Sequence, residues 1–155
     1  MNNQLLFELS KSAKNEHELQ SFCVQWFNLN FPTSLLFAIP NGGKRTQKVN
    51  KKGKTYSLEG DRLKKEGVTP GIPDLSLAIG NAEFHGLFIE MKFGKGKASP
   101  DQNKIHLKLA ENKYAIATCW TYEGFTDIVT LYMNGVSINN YNNKLQQNGK
   151  RNRTN

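Results

Sequence analysis

The chain has 155 residues, 21 Lys and Arg against 13 Asp and Glu, a formal charge of +8, and nine Phe and two Trp among its 37% hydrophobic residues. That length forms one core without staples, and the isolated Cys23 and Cys119 exclude a disulfide framework or a zinc site and read as buried small hydrophobes. No run reaches membrane-spanning length and MNNQLLFELSKSAK is no signal peptide, so a soluble cytoplasmic protein is expected, whose charge fits a polyanionic partner but also a ribosomal or membrane-surface protein.

Residues 1–14 read as an N-terminal extension, 15–134 as the folded domain and 135–155 as a polar basic tail, poorly ordered and rich in Asn and Gln. Asn15 caps a helix starting at Glu16, with Glu18 three residues on completing a reciprocal box. Leu19, Phe22, Cys23, Trp26 and Phe27 then share one side at helical spacing. Glu16 lies three before Leu19 and borders that stripe, where a free acid is unusual; an acid favoured by the helix dipole is the plainer reading.

Residues 35–39 predict a short buried first strand, broken by Pro40-Asn41-Gly42-Gly43. The glycine pair either makes a plain turn or lets a phosphate approach the backbone. Residues 44–65 then carry nine Lys and Arg against Glu59 and Asp61, a net of +7. Lys51-Lys52-Gly53-Lys54 reads as a loop or hairpin tip and 57–66 as a short helix ended by Gly67. Such a run is either a solvated basic face or a flap that tracks DNA.

Leu75, Leu77 and Ile79 alternate with polar or small residues, as do Leu87, Ile89 and Met91, which predicts two half-buried strands joined by a turn at Gly80-Asn81. Joining their apolar sides pairs Leu75 with Ile89 and Leu77 with Leu87, and sets Asp74 opposite Glu90. Two carboxylates at roughly 5 Å between Cβ atoms repel unless something positive sits between them. Mg²⁺, with hard oxygen ligands and several waters, is one candidate. Lys92 points to the same side and is the other, through a simple cross-strand salt bridge.

After a basic loop with Lys95 and Lys97, Ser99 caps a helix with Pro100 first and Gln102 completing the box, continuing through Ile105, Leu107, Leu109 and Ala110. His106 reads as an exposed helix histidine. Residues 114–120 suit an interior strand, and Thr121 caps a last helix through Ile128, Leu131 and Tyr132.

Pro73-Asp74 followed by Glu90-Met91-Lys92 resembles the PD-(D/E)XK nuclease superfamily, although that pattern alone is loose. Around it, Pro40-Asn41-Gly42-Gly43, Leu63-Lys64-Lys65-Glu66-Gly67-Val68, Gly71-Ile72-Pro73-Asp74, Gly86-Leu87-Phe88-Ile89-Glu90-Met91-Lys92 and Ser99-Pro100-x-Gln102 stand in the order seen in the VRR-Nuc (virus-type replication-repair nuclease) family. The resemblance covers about residues 16–133. It implies an α/β, restriction-endonuclease-like fold, a central mixed β-sheet flanked by α-helices. It implies Mg²⁺- or Mn²⁺-dependent DNA hydrolysis, with the ion on Asp74, Glu90, the Met91 main-chain carbonyl and Glu16, with Lys92 and Gln102 also catalytic.

Asn41, Gly42, Gly43, Lys44, Arg45, Lys51, Lys52, Lys54, Lys95 and Lys97 are the expected DNA contacts. Standalone members of that family are of similar size and tend to form homodimers that act on branched DNA such as four-way junctions, in a bacterial or phage setting. No small-molecule organic cofactor and no membrane partner is expected. Two other classes stay open: a non-catalytic basic nucleic-acid-binding module on the same fold, and a structural RNA-binding protein.

Overall fold

Local capping chemistry sets where the helices begin. In the computed structural model, which describes residues 2–40, 48–49, 55–136 and 138, the Asn15 side chain accepts the Glu18 N–H at 2.9 Å and opens helix α2, Glu16–Asn30. The Glu18 carboxylate turns back one residue further than a reciprocal box requires, accepting from the Lys14 N–H at 2.8 Å. Leu19, Cys23, Trp26 and Phe27 are buried and Phe22 is partly so. Within the segment read as an extension, Asn3–Ser10 forms helix α1, capped by Asn2, and its Leu6 is 1% exposed in the core.

Strands β1 (Leu36–Ala38), β4 (Leu75–Leu77), β5 (Leu87–Met91) and β6 (Ala115–Cys119) form a mixed sheet in the order β1-β4-β5-β6. Between β1 and β4, β2 (Lys48–Val49) pairs antiparallel with β3 (Thr55–Tyr56), followed by helix α3, Leu58–Lys65. β1, β4 and β5 run antiparallel; β5 and β6 are parallel, joined by helix α4, Pro100–Glu111. Helix α5, Tyr122–Met133, completes the domain.

The β4–β5 register pairs Leu75 with Ile89 and Leu77 with Leu87, the one that unites the two apolar sides. With Ala115, Ala117 and Cys119 of β6, these residues make a closed core with α1, α2 and α5. Both cysteines lie within it, and burial pushes the Cys119 thiol up to about 12, so neither is a reactive thiolate at neutral pH.

Two strand expectations need correction. Residues 35–39 are not a buried strand: β1 is three residues long, with Leu36 buried and Phe37 and Ala38 exposed, because an outermost strand is covered on one side only. β6 is not interior either. It is the other outermost strand among the described residues, and it is apolar because α4 and α5 both pack on it. The lysine-rich tip at 51–54 lies outside the described residues, as do 139–155 of the tail. Among the described residues, no helix is long and apolar enough to cross a membrane.

Candidate active site

The turn before β4 delivers the first acid. Asp74 immediately precedes Leu75, so one further step of the ladder sets it across from Glu90. Its Oδ2 accepts the Met91 N–H at 2.8 Å, tying the start of β4 to the end of β5. The glycine at 71 is required here. It has φ +84°, and a Cβ would come within 2.8 Å of the Asp101 carbonyl carbon and 2.9 Å of the Gln102 nitrogen. Only a residue without a side chain lets the run toward Asp74 lie against the first turn of α4.

Glu90 is 1% exposed, and its two oxygens have different surroundings. Oε1 accepts from Lys92 Nζ at 2.5 Å and from Gln102 Nε2. Oε2 is buried without a hydrogen-bond partner, a condition worth about 1–3 kcal/mol of lost solvation for an ordinary polar group. Lys92 is therefore in a salt bridge, but along its own strand to Glu90 rather than across to the neighbouring one, and it satisfies only half of the carboxylate.

Gln102 does two jobs at once. Its Oε1 accepts the Ser99 N–H at 2.8 Å while Ser99 Oγ accepts the Gln102 N–H at 3.2 Å, a complete capping box. The other end of the same amide is the donor to Glu90. Capping thus fixes the orientation that aims Nε2 at the carboxylate.

Glu16 at the start of α2 joins this group electrostatically. Burial pushes its carboxyl above the ordinary value; Lys92 opposes that shift, and Asp74 and Glu90 add to it. Glu18 is committed to the Asn15 cap and the Lys14 N–H, so Glu16 is the α2 acid that feels the charge of the strand acids.

His106 departs from the expectation of an exposed helix histidine. Its side chain is 17% exposed, with Nε2 3.7 Å from Glu90 Oε2, and neither atom has a hydrogen-bond partner. The available signal was its position four residues after Gln102, which puts both on one face of α4. Lys95 and Lys97 are exposed on the loop after Lys92. Asn41, Gly42, Gly43, Lys44, Arg45, Lys51, Lys52 and Lys54 lie outside the described residues.

Among the described residues, no group of three or more His, Cys, Asp or Glu side chains is gathered tightly enough to hold a metal ion. An all-protein cage is therefore not what this face offers. Asp74, Glu90 with its bare Oε2, and Glu16 are hard oxygen donors, a set that fits an ion keeping several waters, as Mg²⁺ and Mn²⁺ do.

No family model matches the chain, and no curated protein matches it. A solved structure described as "VRR_NUC domain protein" is similar over 81% of this chain and 93% of its own, with a TM-score of 0.58 and 23% identity. The four-stranded mixed sheet with flanking helices is the α/β, restriction-endonuclease-like fold, as the short motifs implied.

Proposed function

We propose that this protein is a metal-dependent DNA endonuclease that hydrolyses phosphodiester bonds. The observation that carries the reading is Glu90: a buried carboxylate held through one oxygen by Lys92 and Gln102, its other oxygen without a hydrogen-bond donor, across the ladder from Asp74. A fold that needed only a basic surface would gain nothing from that arrangement.

In this reading Asp74, Glu90 and the Met91 main-chain carbonyl hold Mg²⁺ or Mn²⁺, with Glu16 contributing directly or through water. When bound, the ion supplies Lewis acidity toward water and phosphate. Lys92 Nζ has three N–H donors and spends one on Glu90, leaving others to orient the attacking water and to meet charge growing on the phosphate. Gln102 stops the Glu90 carboxylate from rotating. Asn41, Gly42, Gly43, Lys44, Arg45, Lys51, Lys52, Lys54, Lys95 and Lys97 grip the DNA backbone through phosphate contacts. A homodimer presenting two such sites to two strands suits branched DNA, four-way junctions included.

One observation favours a second reading, a non-catalytic nucleic-acid-binding module on the same fold: the described acids do not gather into a three-ligand group. A structural RNA-binding protein accounts for the charge but not for the buried Glu90. Supercoiled, linear and junction DNA incubated with Mn²⁺, Mg²⁺ or EDTA, using wild type beside Asp74→Ala and Lys92→Ala, separates these readings. Cleavage is expected from wild type with metal alone. Mutants that cut as well as wild type would sink the site assignment, and binding without cutting under every metal would establish the module.

A further inference from the structure

β6 ends beside the lysine of the candidate site. The Lys92 N–H donates to the Cys119 carbonyl at 2.9 Å, the parallel-ladder bond of the Met91–Cys119 pair that ends β6 against Lys92. That register ends at Met91 and Cys119, so Trp120 and Lys92 are the residues that leave the ends of the two neighbouring strands. Trp120 is 42% exposed, whereas the other tryptophan, Trp26, is 8% exposed.

The indole is anchored by its edge. Nε1–H, its one polar group, donates to the Gly96 carbonyl at 2.9 Å. Gly96 belongs to a turn closed by its own N–H on the Phe93 carbonyl at 3.1 Å. It also lies against the Lys92 stem, since a Cβ at Gly96 would stand 3.3 Å from Lys92 Cδ. That turn carries exposed Lys95, exposed Lys97 follows it, neither stretch holds an acid, and Phe93, which starts the turn, is itself 39% exposed. An aromatic ring pinned in place, accessible, and bordered by cations is complementary to a ligand that is planar and apolar on its face and anionic along its edge.

We propose that Trp120 is a stacking platform for an unpaired nucleobase next to the phosphate engaged at Lys92, and that the protein therefore prefers DNA whose strand is unpaired at that point. Inside a duplex each base face is already covered by its neighbours, while an unpaired base is free to stack on a protein ring. The placement of the phosphate rests on the nuclease reading; the base contact does not.

Binding in EDTA tests the contact without cleavage. Fluorescence anisotropy with a single strand of about twelve thymidines, within the usual site size, is compared with a duplex of the same length. Trp120→Ala is expected to weaken single-strand binding about 5- to 150-fold and leave duplex binding unchanged. Trp120→Phe keeps a stacking ring and loses the Gly96 bond, so it should retain most of the affinity. Lys95→Ala with Lys97→Ala should weaken both ligands alike. The emission difference between wild type and Trp120→Phe reports Trp120 and should be quenched by the single strand.

Equal losses on both ligands with Trp120→Ala, a Phe variant as weak as the Ala variant, or unquenched emission would each overturn the proposal. A wild type that stacks bases but never cuts would sink the nuclease reading alone. One that cuts without stacking would sink this inference alone.

Discussion

The two faces of one sheet are built on opposite principles. Leu75, Leu77, Leu87, Ile89 and Met91 are 0% exposed on the face shared with α2 and α5, and α5 itself buries five residues there. On the other face, Glu90 and Lys92 are paired out of solvent, Glu90 Oε2 and His106 Nε2 have no hydrogen-bond partners, and the covering helix α4 buries none of its residues. A face closed by apolar packing supplies stability and excludes ligands. A face covered by a helix that buries no side chain fully keeps polar groups ready for water, ion or phosphate.

The sharpest break in that comparison is between chemistry and stability. Asp74→Asn keeps an acceptor for the Met91 N–H and removes the charge, so nicking of supercoiled DNA with Mn²⁺ should fall about 10²- to 10³-fold, while the urea midpoint in EDTA stays no lower than wild type. Ile89→Ala, one residue from Glu90 but on the core face, should lose about 2–5 kcal/mol of unfolding free energy and keep its rate per folded molecule. If Ile89→Ala strikes rate and spares stability, the two faces are not separable.

Gly71→Ala probes where the open face depends on backbone contact. A Cβ within 2.8 Å of the Asp101 backbone, at φ +84°, forces the start of α4 outward and carries Gln102 away from Glu90. A loss of about 1–3 kcal/mol in thermal or urea unfolding is expected, together with slower cleavage. Unaltered cleavage would mean that Gln102 does not hold the carboxylate during the reaction.

Gln102→Glu sharpens the comparison within a single side chain. The replacement keeps an oxygen for the Ser99 N–H and removes the donor to Glu90, so the helix cap survives and the site is disturbed. Cleavage should slow by at least about tenfold, the loss of one donor at a reacting centre, and melting should fall at neutral pH, where the new carboxylate meets Glu90. Gln102→Ala should slow cleavage as well and lose about 0.5–2 kcal/mol of cap energy. Melting of Gln102→Ala no lower than wild type would show that the capping contact is idle.

The smallest effect concerns Glu16. A carboxyl raised above 4.5 in the folded state adds stability that is full below 4.5 and is lost as pH rises through the raised value. Ion-free wild type should therefore weaken relative to Glu16→Gln over that window, and Mn²⁺ should recover wild type but not the variant. Parallel melting profiles for the two proteins would place Glu16 away from the strand acids.

Much of the site was legible because strand alternation is strict. A slip of one residue would turn Leu75, Leu77, Leu87 and Ile89 outward, so the register that opposes Asp74 and Glu90 had one acceptable solution. Capping was legible for a similar reason, since Ser99-Pro100 and Gln102 satisfy local backbone groups. His106 was misjudged because helical spacing tells which residues share a face and not what that face meets. The partner of Trp120 was hidden too: the Gly96 carbonyl lies 24 residues earlier in the chain. α1 gave too weak a pattern to separate from an extension, and Leu6 finds its core only once α2 is folded beside it.

From the order of its residues alone, this chain determines the starts of α2, α3, α4 and α5, its β4–β5 pairing and the side of the sheet that holds its acids, since each follows from interactions a few residues long or from a two-residue period. Tertiary structure decided that Glu90 keeps one oxygen without a hydrogen bond, that α4 turns Gln102 and His106 toward its carboxylate, and that Trp120 is tied to the loop after Lys92. Those outcomes depend on how helices are laid across strands distant in sequence, and no local periodicity encodes that geometry.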